Sequence, residues 1–204
     1  TTQWVRTQTY GTTSNRIKRS QAGCQGEGVD LTHDANGNLL NLAHLPRMEW
    51  NDRNQLIAAQ LNVAAANPDR ARYHYDVAGQ RVRKTITRGS RIEERIYLGG
   101  FEIFFVRNGS GLVERWETLH LADGEKRIAL VETQTSTTSA SQVLEKLTRF
   151  QFGNHLGSAV LETDDSASAR IISYEEFTPY GETSYIAGQN LSEVRRKRYR
   201  YSGK

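Results

Sequence analysis

The sequence predicts an all-β chain. It reads as antiparallel hairpins in a meander, with little or no helix. Three observations predict this. Short alternating runs such as "RVRKTIT" and "RIEERIYL" recur, broken by turn residues at Arg88-Gly89-Ser90, Asn108-Gly109 and Asp123-Gly124. Apolar residues make up 37% of the chain and the mean hydropathy is −0.65, which favours a thin, extended core over a deep one. A motif also repeats, at positions 33, 50 and 75.

Residues 1–30 show no clear repeat unit and read as N-terminal strands and a loop. "GCQGEG" at 23–28 has three glycines but no following Lys-Ser/Thr and no strand–helix setting, so a flexible loop is the better reading than a phosphate cradle. Cys24 is the only cysteine, so neither an internal disulfide nor a cysteine zinc site is available. The chain opens on Thr1 rather than Met, which reads as a piece excised from a longer polypeptide. No apolar run approaches the roughly 18 residues of a membrane span.

Residues 31–98 hold the repeat. "HDANGNL", "WNDRNQL" and "YDVAGQRV" align as aromatic or His, Asp or Asn, two residues, Gly or Asn, one residue, then an apolar position. The positions are His33, Asp34 and Gly37; Trp50, Asn51 and Asn54; Tyr75, Asp76 and Gly79, with Tyr73 preceding the last. The aromatic ends a strand. An Asp or Asn side chain accepts backbone N–H groups further along, as in an Asx-turn. Gly or Asn supplies the positive φ that a tight turn needs. Aromatics at equal positions are then expected to stack across strands. Recurrence of Asp76's equivalent at each turn favours a structural role over a catalytic one. Gln55–Leu61 reads as a strand leading into a loop before Pro68, although "LIAAQLNVAAA" has some helical character.

Residues 99–204 continue as hairpins. "TQTSTTSASQ" at 133–142 reads as a polar loop tip, and residues 164–168 as a loop between strands. The last segment carries "RRKRYR" at 195–200, which holds most of the net charge of +4. The rest of the chain is close to neutral, which disfavours a nucleic-acid-binding body, although interleaved Arg and Tyr in the tail suit nucleic acid. The same tail also reads as a strand with its basic side chains facing outward.

No catalytic constellation emerges. Asp164-Asp165 and Glu175-Glu176 are adjacent pairs, and neighbours on a strand point to opposite faces. His33, His44, His74, His120 and His155 are scattered without ligand spacing, so no metal or cofactor is expected. A Ser158–His155 pair lacks an orienting acid and an oxyanion hole.

The Y-D-x-x-G units resemble the repeats of the RHS/YD-repeat family, which includes the C subunits of bacterial insecticidal Tc toxin complexes. "YLGGFEIF" at 97–104 and "RFQFGNHLGSAVLETDDSASARIISYEEFTPYGETSY" at 149–185 strengthen the resemblance. It rests there on Phe152, Gly153, Asn154, His155, Gly157, Tyr174, Pro179, Tyr180 and Gly181; "YRYSGK" at 199–204 looks like the start of a further family segment. The resemblance implies a spiralling sheet closed into a hollow shell that holds a C-terminal toxin domain as cargo. It implies a TcB-like repeat subunit, or other RHS segments, as the partner completing the shell, and a secreted or cell-surface location. It divides the chain into YD-repeat units over 31–98 and an RHS-core-like segment over 99–204. The family's aspartyl autoprotease would lie downstream of Lys204, so no catalytic residue is carried over. A second reading is a carbohydrate or cell-surface binding module built on YD repeats.

Overall fold

The computed structural model describes residues 5–23, 27–62, 67–124, 126–138, 144–178 and 181–201. The chain divides into two compact units, Thr1–Arg95 with Arg107–Ser110, and Ile96–Val106 with Gly111–Lys204.

The first unit begins with a three-stranded antiparallel sheet, β1 (Arg6–Tyr10), β2 (Ile17–Ala22) and β3 (Val29–Asp30). An antiparallel meander follows: β4 (Arg47–Trp50), β5 (Leu56–Gln60), β6 (Arg70–Tyr75) and β7 (Arg81–Arg88). Its buried apolar residues are mostly small: Leu31, Met48, Ala58, Ala59 and Ala71. β8 (Arg91–Leu98) and β9 (Phe101–Asn108) each contribute residues to both units.

One turn geometry recurs at the motif positions. Asp76 N donates to Gln80 O (2.9 Å) and Gly79 N to Asp76 O (3.1 Å). This is a type I turn closed by a residue in the left-handed region, the three-residue hairpin loop with a G1 bulge. Asp76 Oδ1 accepts the Gln80 N–H at 2.8 Å and locks the loop. Gly79 has φ +82°, which costs a residue without Cβ little. Asn51 repeats the arrangement, with Asn54 N donating to Asn51 O (3.0 Å) and Gln55 N to Asn51 Oδ1 (2.9 Å); here Asn54 takes the left-handed position, φ 58°. Asp34 accepts from Asn38 N in the same way, 2.8 Å.

The successive repeats of the first unit are also tied to each other. Trp50 Nε1 donates to Leu39 O and Tyr75 Oη to Leu56 O, both at 2.8 Å. Each acceptor lies five residues beyond the preceding turn residue, Asp34 or Asn51. The joining contact of these aromatics is thus a hydrogen bond to the neighbouring backbone, not the expected ring stacking. The indole N–H and phenol O–H find a partner while the ring covers the strand end. Neighbouring turns touch as well: Asn38 Nδ2 donates to Asn54 Oδ1 at 2.8 Å, and Arg53 Nη1 to Val77 O at 3.4 Å.

The second unit is another antiparallel meander in sequence order: β10 (Gly111–Asp123), β11 (Lys126–Thr137), β12 (Lys146–Gly153), β13 (Ala159–Thr163), β14 (Ile171–Phe177) and β15 (Thr183–Ala187). The single-turn helix α1 (Leu191–Arg195) follows. Two further copies of the turn occur here. Asn154 Oδ1 accepts from Ser158 N (3.0 Å), and Thr178 Oγ1 from Glu182 N (3.2 Å). Register shifts fall just before four of these turns, at Glu49/Trp50, His74/Tyr75, Phe152/Gly153 and Glu176/Phe177. A bulge at each strand end feeds the turn.

Two expectations are corrected. The loop tip at 133–142 is too long: β11 runs through Thr137, its alternating threonines pairing with β10 from Thr133↔Glu117 to Thr137↔Glu114. The tail is not a strand. It forms α1 and an irregular segment, because its cations find carboxylate partners on the sheet.

Replacing Gly79 by valine forces a β-branched residue to φ +82° and sets its Cβ 3.1 Å from Gln55 Nε2. The expected loss is roughly 1–3 kcal/mol, read from the urea midpoint; an unchanged midpoint contradicts the turn.

Candidate functional site

The residues singled out by sequence do not converge on one site. Those of 33–37, 50–54 and 75–79 build turns and strand ends. Tyr73 lies under Arg81 and Lys84, 5.8 and 6.0 Å from its ring centroid. His33 Nδ1 is enclosed without a partner. Asn154 and Gly157 form the β12–β13 turn, where His155 is exposed. Phe152 and Tyr174 are about half exposed, and the Tyr174 ring lies 6.3 Å from that of Tyr185. Gly181 N donates to Thr178 O at 3.0 Å. Pro179, Tyr180 and Cys24 lie outside the described residues.

What converges instead is a set of buried charges on one face of the second unit. On β12, β13 and β14 the paired positions Gln151↔Glu162 and Glu162↔Ser173 form a polar row. The alternate row, Phe152↔Leu161↔Tyr174, points the other way. Glu162 is fully buried. It accepts from Gln151 Nε2 (2.9 Å), Ser173 Oγ (2.9 Å) and Arg149 Nη1 (3.1 Å). Arg149 is 1% exposed, and its Nε donates to Glu132 Oε2 at 2.6 Å. Its remaining nitrogen, Nη2, donates to Glu193 O of α1 at 2.9 Å. All three arms of the guanidinium are therefore occupied, which is what allows a buried arginine.

The C-terminal segment closes this face. Asn190 caps α1, accepting the Ser192 N–H at 2.9 Å, and Val194 is buried beneath it. Lys197 is buried, with Nζ 3.0 Å from Glu175 Oε2 and donating to Ala159 O at 2.5 Å. Burial pushes the Lys197 ammonium down, while Glu162 and Glu175 oppose that shift. Arg200 Nη1 donates to Glu175 Oε1 at 2.9 Å, Arg196 Nη1 to Glu145 Oε2 at 2.6 Å, and Arg196 lies 4.9 Å over the Trp116 ring. A backbone bond, Ala159 N to Arg200 O at 2.8 Å, adds to these.

A second carboxylate loop flanks the cap. Asp164 accepts from Ser166 Oγ (2.6 Å) and Arg170 Nε (2.7 Å). The Ser166 hydroxyl, then its N–H and Arg170, hold this carboxyl at about 2. Arg170 continues to Glu193 at 2.9 Å, and that pairing, with Asp164, pushes the guanidinium up.

Chemically this arrangement is a clasp. Glu162 is held by Arg149, Gln151 and Ser173, and Glu175 Oε1 by Thr183 and Arg200, while Glu175 Oε2 faces Lys197 Nζ at 3.0 Å without an aligned hydrogen bond. Three of the tail cations, Arg196, Lys197 and Arg200, engage the chain's own carboxylates, while Arg195 and Arg198 are exposed. Glu175 is buried while its neighbour Glu176 is exposed. Among the described residues, no group of three His, Cys, Asp or Glu is placed to hold a metal ion, and no helix is long and apolar enough to cross a membrane. An open cleft of about 400 Å³ in the first unit is lined by Arg6 and Arg16 over Leu31, Leu39 and Leu42. Arg16 Nη1 there donates to Asp34 O at 3.4 Å, bracing the first turn.

One trace of this face is legible in the sequence. Arg149-x-Gln151 and Ser173-x-Glu175 are period-two polar lines, and such lines normally mark a solvated face. That they are covered follows only from where the tail packs. Glu162→Gln keeps the shape but removes the charge facing Arg149, and a broken buried pair costs about 3–5 kcal/mol. Glu176→Gln on the exposed row is expected to stay within about 0.5 kcal/mol. Urea unfolding of the two variants checks this, and equal losses contradict the buried network.

No family model matches the chain. It is 28% identical over 199 residues to the toxin subunit YenC1 of Yersinia entomophaga, covering 94% of this chain and 20% of that protein. It is 25% identical over 197 residues to YenC2 of the same organism, with the same coverage. The chain thus spans about a fifth of the length of these curated relatives. Among solved structures, the crystal structure of TcdB2-TccC3 matches with a TM-score of 0.77 at 23% identity, over 98% of this chain and 11% of that one. The chain is thus similar in sequence to toxin subunits of the TcC-like kind and similar in fold to TcdB2-TccC3.

Proposed function

We propose that this chain is a wall segment of an RHS-repeat β-shell that encapsulates a C-terminal toxin domain and helps deliver it. The observation carrying this reading is the likeness to YenC1, which extends over 94% of the chain yet fills only a fifth of that toxin subunit. The physics of the fold supports it. Each unit is a meander with few large buried apolar residues, and its stability comes from neighbour-to-neighbour bonds, as in other repeat architectures. Such a sheet is suited to being wall rather than a self-contained enzyme. The partner is a TcB-like subunit or further RHS segments that complete the shell, the cargo is the toxin domain, and the assembly acts outside the producing cell. The role of the chain itself is structural.

A carbohydrate-binding role is the second reading. It is favoured by the exposed Tyr174–Tyr185 pair, with rings tilted by 57°. Aromatic pairs of this kind can serve as sugar platforms.

Negative-stain electron microscopy of the intact polypeptide, purified with its repeat partner, separates the two. A closed hollow particle, with a C-terminal piece cleaved but retained, is expected. A solid or open particle without enclosed cargo contradicts the shell, and a glycan array then tests the second reading.

A further inference from the structure

We propose that His120 is a protonation-sensitive catch that holds the C-terminal segment of the second unit against its sheet. His120 lies on β10 with its side chain 10% exposed, 3.0 Å by Nε2 from Oε1 of Glu102 on β9, itself 2% exposed. Its other nitrogen, Nδ1, accepts from Arg127 Nε on β11 at 3.0 Å. The Arg127 guanidinium sits 3.7 Å over the ring of Tyr199 in the C-terminal segment. The Tyr199 ring meets His120 edge-on at 5.0 Å, with the planes 84° apart. Arg127 is thus the link between the histidine and the tail.

An arginine nitrogen can only donate, so Nδ1 must present its lone pair. The arrangement requires neutral imidazole with its proton on Nε2. The Nε2–H faces Glu102 at charge-pair distance but is not aligned as a hydrogen bond, so the ring is held on the Arg127 side. A proton taken from solvent onto Nδ1 reverses both preferences. Two N–H donors and two positive charges then face each other at the site of the former bond. The imidazolium is drawn to align with Glu102. Arg127 loses its acceptor, and its hold over Tyr199 weakens.

Among the described residues, the charged and titratable groups that meet His120 are Glu102 from β9, Arg127 from β11 and Tyr199 from the tail. Across β11 the next position in the row, Leu130, separates His120 from Arg149 of β12. Burial already pushes the Arg127 guanidinium down, with Glu102 opposing. A further positive charge beside it is therefore costly. The other tail contacts, Lys197 and Arg200 to Glu175 and Arg196 to Glu145, involve no histidine.

Amide exchange at Ala159 reads the catch, because that N–H is donated to Arg200 O of the tail. Protection is measured in the intact polypeptide and corrected for the intrinsic effect of pH on exchange. Lowering the pH from about 7.5 to about 5.5 is expected to reduce Ala159 protection by about tenfold or more. Protection at Glu162, within the β12–β13 ladder, stays unchanged. His120→Asn keeps an acceptor near the Nδ1 position but takes up no proton, so it holds Ala159 protection at both pH values. Tyr199→Leu removes the ring and is expected to show low protection at both. Unchanged wild-type protection overturns the proposal. So does an equal pH-dependent loss in His120→Asn or Tyr199→Leu, or a parallel loss at Glu162.

Discussion

Every repeat in this chain depends on a short-range hydrogen bond, from a backbone N–H back to the side-chain oxygen four residues earlier. It recurs at Asp34, Asn51, Asp76, Asn154 and Thr178. The bond fixes a three-residue loop whose last member takes positive φ, and the loop fixes the register of the two strands it joins. A one-residue slip would turn every side chain of the following strand to the other face. In the second unit that would exchange Glu162 and Ser173 with Leu161 and Tyr174. The local turn therefore decides which face becomes charged and buried.

The buried face carries the complementary constraint. A β-sheet with few large apolar residues on its covered side cannot rely on hydrophobic area alone. Here the covered side is held by ion pairs and hydroxyl bonds. Their net contribution to stability is modest, because desolvation offsets much of the Coulomb gain. Their contribution to specificity is larger. Arg149 donates to three acceptors, on β11, β13 and α1, and so ties the position of the tail to those two strands. Asn190 capping and the Ala159–Arg200 backbone bond set the tail in the same position. Polar saturation does for this face what interlocking methyl groups do for an ordinary core.

Much of the first unit was legible because its signals are local. Aromatic, Asp or Asn, and Gly or Asn at fixed offsets state a turn directly, and β5 over Leu56–Gln60 falls where alternation places it. Asn154 and Thr178 carry the same spacing to Gly157 and Gly181 but escaped alignment with the repeat. In one the aromatic stands two positions back, at Phe152, and in the other a threonine replaces Asp or Asn. The buried charges were not legible. Glu162, Glu175 and Lys197 look like solvated residues until a segment some twenty to forty positions away covers them. The helix α1 has five residues, too few to show a period. Thr133–Thr137 reads as polar loop from composition, yet threonine is a strand former and Gln134 is buried within β11.

The most direct test compares two substitutions at Asp76. Asn51 and Asn154 show that a neutral amide oxygen performs the same task. If the turn rests on the side-chain acceptor, Asp76→Asn retains stability to within about 0.5 kcal/mol, while Asp76→Ala loses about 1–2 kcal/mol, the cost of a missing side-chain cap. Urea unfolding of the two variants beside the parent decides it. Equal losses in both variants would mean that the charge of Asp76, not its hydrogen bond to the Gln80 amide, holds the turn, and would contradict the account of the repeat.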